Sequence, residues 1–377
     1  MIFKEEVADM ILFNKKVRFN KVEKVSIVFY ESNFLKSENK FKSIYVEKNE
    51  INFWIFLKAT FFSIATFQFL RLSDIYFYQF FKKLNPDVLI SNEVNGVIFR
   101  YKKFFPQKKT IMYQTVNWIN LWKPTMKNFY NIHNTNLKFE TDYFCLIHKK
   151  YLPFYKFLKT KFIETGSIKN NSFQLKTKKK KFDLGFVSIF DERTQSYYGT
   201  NNNPSVMSLQ AAASSFITKI IKKIYEKNRK LKIVLLTRSN REDKNINKKK
   251  ELEFFHRDFK HFKVIKGNNL EIVNQCKMIL VHDSSFAFDL ISRKKKFLYI
   301  EPYNFFNKSL ISTFTQKKEG LFWYNGNNEK KIINKINYLL KLKEDKWLKN
   351  FNNSKLNIIF DVKNKKLNNL ITSLIKK

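Results

Sequence analysis

Among the 377 residues, the side chains best suited to chemistry gather in one stretch, MILVHDSSFAFDLISRKKKFLYIEPYN (278–304). Its apolar start, MILV, has the character of a buried strand. A polar turn, His282-Asp283-Ser284-Ser285, follows, then a helix-length segment and a second apolar run, FLYI. In a parallel α/β sheet, ligands bind at the carboxyl ends of strands. The next helix there offers a phosphate its free N–H groups and the positive end of its dipole. Ser284 and Ser285 add hydroxyl donors at that point. Asp289 lies one helical turn after Ser285 on the same face, where a carboxylate can accept from a pair of ribose or sugar hydroxyls. A plainer reading makes Asp283 or Ser284 a helix N-cap, and Asp283 would repel a diphosphate. Glu301, directly after FLYI, is a second strand-end carboxylate.

Other chemistries are excluded by what the chain lacks. Its seven glycines form neither G-x-G-x-x-G nor G-K-[ST], so dinucleotide and P-loop fingerprints are missing. There is no H-E-x-x-H, no G-x-S-x-G and no D-x-D, so the sequence predicts no metal centre and no bound cofactor. Phosphates would then be neutralised by helix dipoles and basic side chains. Cys145 and Cys276 stand far apart, which argues against both a disulfide framework and a cysteine zinc site. The formal charge of +40 suggests a polyanionic partner, but only nine of the 72 basic residues are Arg, the better fork for phosphates and base edges. Basic residues spread along the chain without a reader motif, so nucleic-acid binding is a weak alternative and an anionic membrane surface a better one.

Positioning these residues requires a sheet covered by helices. Short apolar runs at 25–30, 43–46, 87–91, 110–114, 143–147 and 161–164 read as strands of a first half. A Phe-rich helical segment spans 51–82, and Pro86 restarts the chain as a strand. After a lysine-rich break at 166–181, strands follow at 184–189, 231–237, 262–265, 278–281 and 297–300, with helices at 208–228, 248–258, 284–292 and 329–342. The expected domains are 1–165, a linker at 166–181, 182–360, and a C-terminal helix at 361–377. Residues 51–70, INFWIFLKATFFSIATFQFL, carry one charge, Lys58, yet polar interruptions favour a buried or interface-lying helix over a span. With acids where a signal peptide would be basic, the expected location is cytoplasmic, peripheral at the inner face of the membrane.

The strand, Ser-Ser-x-x-x-acid helix and basic turn before a strand resemble the nucleotide-sugar site of GT-B glycosyltransferases. Bacterial surface-carbohydrate (capsule and lipopolysaccharide) biosynthesis proteins are the most similar group. KFIETGSIKNN (161–171), DLGFVSIFDER (183–193) and FDVKNKKLNNLI (360–371) agree with that layout. Two departures stand out: Asp289 replaces the usual Glu, and Arg293-Lys294 stands where Gly is common. The resemblance implies an α/β fold of two Rossmann-like domains whose parallel sheets face a central cleft. It also implies a glycosyltransferase that needs no metal, with a nucleotide-sugar as substrate and a surface polysaccharide or lipid-linked glycan as acceptor. Carried over, Ser284, Ser285 and Asp289 become donor-site residues; His282 is grouped with them, as is Glu301, a strand-end carboxylate placed either to touch the sugar or to be solvated. Arg238, after LKIVLLT, becomes the cation that offsets the leaving diphosphate, with Arg241 as a lesser partner.

An inverting transfer also needs a base near the acceptor hydroxyl. Glu93, past the strand DVLIS, has the position for it, as has Glu31. Gln114 and the aromatic loop containing Asn117, Trp118 and Trp122 suit the acceptor side, although core packing explains the tryptophans equally well. His133 and His148 read as structural. Two alternatives stay open: a teichoic-acid-type transferase of phospho-alcohol units from a cytidine nucleotide, and the basic nucleic-acid-binding protein.

Overall fold

The computed structural model describes residues 16–30, 32, 35, 41–47, 50–68, 71–93, 96–115, 138–173, 179–190, 206–238, 247–303, 317–354 and 356–375. The chain divides into two compact units. The first comprises 1–115, 124–172 and 361–377, and the second 116–123 and 173–360.

In the first unit a small ribbon pairs β1 (Lys16–Arg18) in parallel with β4 (Glu50–Asn52). The main sheet holds β2 (Ile27–Tyr30), β3 (Ser43–Val46), β5 (Val88–Asn92), β6 (Lys109–Tyr113), β7 (Glu140–Leu146) and β8 (Lys159–Glu164). Its order is β3-β2-β5-β6-β7-β8, every pair parallel. Strands covered on both faces read as unbroken apolar runs, and Val88, Leu89 and Ile90 are all fully buried. The segment expected as one helix over 51–82 is instead two, α1 (Phe53–Ala65) and α2 (Leu72–Leu84). Phe67 interrupts them with φ 53°, a left-handed backbone that ends a helix. Asn85 closes α2 the same way, its N–H donating to Phe81 O, and Pro86 then prevents any continuation. Helix α3 (Val97–Phe104) returns the chain from β5 to β6, and α4 (Ile168–Asn171) follows β8.

The second unit contains β9 (Phe182–Val187), α5 (Val206–Lys227), β10 (Ile233–Leu236), α6 (Lys248–Asp258), α7 (Asn269–Asn274), β11 (Cys276–Val281), α8 (Phe286–Ser292), β12 (Phe297–Glu301), β13 (Glu319–Gly320), β14 (Trp323–Asn325), α9 (Glu329–Lys341) and α10 (Glu344–Asn353). Sheet order is β10-β9-β11-β12-β14-β13, parallel except for β13. The strand expected at 262–265 amounts to a single bridge, Val234 to Lys263. Gly185 makes room in β9 for side chains of the two strands that flank it: a Cβ there would lie 2.7 Å from Ile279 Cδ1 and 2.8 Å from Leu236 Cδ1.

Residues 361–375 return to the first unit. Helix α11 (Lys365–Ile375) buries Leu367 and Ile371 in the core made by Ile27, Phe29, Val88, Ile90, Ile111 and Ile168. Among the described residues no helix is long and apolar enough to cross a membrane.

Candidate functional site

Because β10, β9, β11, β12 and β14 run parallel, their carboxyl ends lie along one edge of the second sheet. That edge gathers Ser188, Thr237 and Arg238, then His282 to Ser285, Glu301 and Asn325. The sequence placed site candidates on three of these strand ends, donor-binding ones after β11 and β12 and the cation Arg238 after β10, and the topology brings them to one edge.

His282 is buried, its ring stacked on Phe186 at 5.9 Å, and its Nε2 shares a 2.9 Å hydrogen bond with Ser214 Oγ of α5. Burial pulls its pKa down to about 3, so the imidazole is neutral. Its Nδ1 is left without a hydrogen-bond partner among the described residues. The same holds for Thr237 Oγ1, Asn269 Oδ1 and Asn325 Oδ1. Buried polar atoms are ordinarily paired, and these four lie at or beside the carboxyl edge of the second sheet.

Asp283 takes φ 38°, and its carboxyl accepts from the Gln210 side chain of α5. Burial raises its pKa. Glu301, on the next strand, is pushed up to about 8, first by burial and then by the charge of Asp283. At neutral pH this pair therefore carries less than two charges, which weakens the repulsion of a diphosphate expected from Asp283. Ser284 is buried, and its Oγ accepts from Phe286 N at 3.3 Å, a local turn bond. Ser285 occupies the N-cap of α8 without a side-chain cap bond, and Asp289 follows in the first turn. Asp289 also faces Arg293, whose guanidinium donates to Phe173 O at 2.7 Å and covers the Phe360 ring at 4.2 Å.

Arg238 is held from both ends. Its N–H donates to Glu251 Oε1 at 2.6 Å, and its guanidinium donates to Phe190 O at 3.1 Å. Glu251 of α6 is fully buried and accepts from Ser188 Oγ as well, at 2.6 Å. Glu251, Gln210 and Ser214 were missed in the sequence. Glu251 left a signal: it shares a helical stripe with Phe254, Phe255 and Asp258, a core-facing position where an acid needs partners.

In the first unit Glu93 is fully buried, one oxygen accepting from Thr115 N at 2.6 Å and Thr115 Oγ1 at 3.1 Å. Gln114 accepts from Ile147 N at 3.1 Å, while its Nε2 has no partner among the described residues. His148 Nδ1 accepts from Lys150 N, and its other nitrogen lies 3.7 Å from Glu164. Glu31, Asn117, Trp118, Trp122, His133 and Arg241 lie outside the described residues. Among the described residues no group of three His, Cys, Asp or Glu is placed to hold a metal ion. A cavity of about 300 Å³ lined by Asp183, Lys223, Lys227, Lys277 and Lys341 lies at the opposite, amino edge of the second sheet, away from these groups.

The model of a family described as "putative O-antigen biosynthesis protein" matches residues 119–375, more than half of the chain. The chain belongs to this family. Within this O-antigen biosynthesis family member, the matched span covers the whole carboxyl edge of the second unit and the returning helix α11. No curated protein sequence matches the chain. Among solved structures it is similar to the UDP-GlcNAc 2-epimerase of Neisseria meningitidis bound to UDP-GlcNAc, with TM-score 0.52 and 11% identity over 94% of this chain and 100% of that one. It is also similar to the UDP-GlcNAc 2-epimerase of Methanocaldococcus jannaschii, with TM-score 0.52 and 12% identity over 92% and 99%. At such identities the likeness establishes the fold, two Rossmann-like units of GT-B type, and nothing about substrate.

Proposed function

We propose that the chain is a glycosyltransferase of surface-polysaccharide assembly, of lipopolysaccharide type, acting without a metal on a nucleotide-sugar donor and a lipid-linked or glycan acceptor. The observation that carries this reading is the gathering of Arg238, His282, Ser284, Ser285 and Glu301 at the carboxyl edge of the second sheet, with α8 starting from it. Family membership in O-antigen biosynthesis supports it. Ser285 and the first turn of α8 receive the donor's diphosphate, Asp289 and Glu301 accept from ribose or sugar hydroxyls, and Arg238 offsets the charge that develops on the leaving group. The bond between the anomeric carbon and the diphosphate oxygen breaks as the acceptor oxygen bonds to that carbon. The acceptor's proton passes to a base on the acceptor side. That base is Glu93, whose carboxyl also accepts from Thr115 beside Gln114.

The test is thermal unfolding of the full chain with uridine, cytidine and guanosine diphosphates and their sugars. One nucleotide at about 100 times its Kd stabilises the fold by roughly 2.7 kcal/mol. The Ser285→Ala/Asp289→Ala double variant loses most of that shift. Equal shifts in wild type and variant, or no shift with any nucleotide, refute the site.

A pH dependence follows from Glu301. Its pKa is raised from 4.5 to about 8, so its contribution to stability is complete below about 4.5 and is lost as pH rises through about 8. His282 acts oppositely, but only between its folded value of about 3 and its ordinary 6.5, where the unfolded chain alone takes up the proton. From pH 6.5 to 9, therefore, Glu301→Gln flattens the fall of Tm seen in the wild type. Parallel curves for the two proteins would contradict this assignment.

A further inference from the structure

Helix α1 is turned inside out. Its buried stripe is Ile55, Ala59 and Ser63, two small residues and one large, whereas its outer face presents Trp54, Leu57, Phe61, Phe62 and Ile64. Trp54 is 60% exposed, Phe61 75%, and Phe67 just beyond the helix 85%. The apolar surface continues onto the neighbouring ribbon. Phe19, itself exposed, packs its ring 5.0 Å from Phe53, and Trp54 Nε1–H donates to Phe19 O at 3.1 Å. A contiguous surface of this kind on a water-facing helix has an interaction partner.

Charge identifies the partner. From 51 to 73 the chain carries no acid, and the nearest ones on either side are engaged, Glu50 with Arg18 and Asp74 with Arg100. Lys16, Lys21, Lys58 and Arg71 are exposed on or next to the same segments. A second copy docked face to face would set this basic rim against itself, which disfavours a symmetric dimer. Thirteen residues of α1 extend roughly 20 Å, short of the roughly 30 Å hydrocarbon core, so the helix lies along a bilayer rather than through it. We infer that the outer face of α1, with Phe19 and Phe67, seats the protein in the interface of an anionic lipid bilayer, the aromatic side chains entering the headgroup layer and the lysines meeting its charge.

The test is sedimentation of the full chain, without nucleotide, with phosphatidylcholine vesicles that contain or lack phosphatidylglycerol. The wild type co-sediments with the anionic vesicles, and partitioning drops about tenfold or more in Phe61→Ser/Ile64→Ser, two exposed positions whose replacement leaves the melting curve unchanged. Lys58→Glu weakens binding and its salt sensitivity together. Equal partitioning of wild type and double variant overturns the inference, as does failure of the wild type to bind either vesicle. A vesicle-free dimer that the double variant abolishes also overturns it, in favour of a second copy. Because no nucleotide is present, none of these results bears on the transfer reaction.

Discussion

Replacing Glu251 with alanine will cost the protein about 3–5 kcal/mol of unfolding free energy, among the largest losses from any single polar side chain in the second unit. One oxygen of this fully buried carboxyl accepts from both Ser188 Oγ and the Arg238 N–H, at 2.6 Å each. Truncation leaves two buried donors unmatched, each worth about 1–3 kcal/mol, and opens a cavity beside Phe254 and Phe255. Glu251→Gln keeps a carbonyl oxygen in place and costs about 1 kcal/mol. Urea unfolding of the two variants decides the matter, and equal midpoints would mean that the carboxyl is not the anchor. Function follows stability here, because the same oxygen fixes the segments that carry Ser188 and Arg238 at the end of β9 and β10.

Trp347→Ala should have a comparable effect, about 3–5 kcal/mol. The indole is fully buried, in contact with Phe297, Phe322 and Phe351, and its Nε1–H donates to Lys294 O at 2.9 Å. Lys294 has φ 52°, the left-handed conformation that glycine adopts without cost. The turn between α8 and β12 is therefore held by a side chain from α10 rather than by its own residue type. Trp347→Phe keeps most of the packing and loses the hydrogen bond, so its loss should be about 1–2 kcal/mol. Nucleotide-induced stabilisation should shrink along with it, because α8 carries Ser285 and Asp289. An alanine variant that unfolds within 1 kcal/mol of wild type would remove Trp347 from this role.

Much of the sheet scaffold was legible because its strands are buried on both faces and appear as continuous apolar runs. β2, β3, β5 to β8, β9 to β12 and the helix over 248–258 stand where patterning put them. The break at Phe67 was not legible, since neither Gly nor Pro marks it. β1, β4, β13 and β14 are two or three residues long, too short for a period to register. Helix α10 shows only Trp347 and Phe351 against a polar background. At the candidate site the strand-end positions could be read from sequence, but their partners could not. Gln210 meets Asp283 across 73 positions, and Ser214 meets His282 across 68. The interaction of Asp283 with Glu301 arises from strand order, which puts β12 beside β11, and no local spacing encodes it.

The return of α11 to the first unit has a consequence for biosynthesis. Residues 27–29 and 88–90 emerge early from the ribosome, yet the apolar face they share with Leu367 and Ile371 stays uncovered until some 275 further residues have been made. Residues 173–360 of the second unit are complete before then. The later-made half can thus reach its native state first, while the earlier one waits with part of its interior open and open to chaperones.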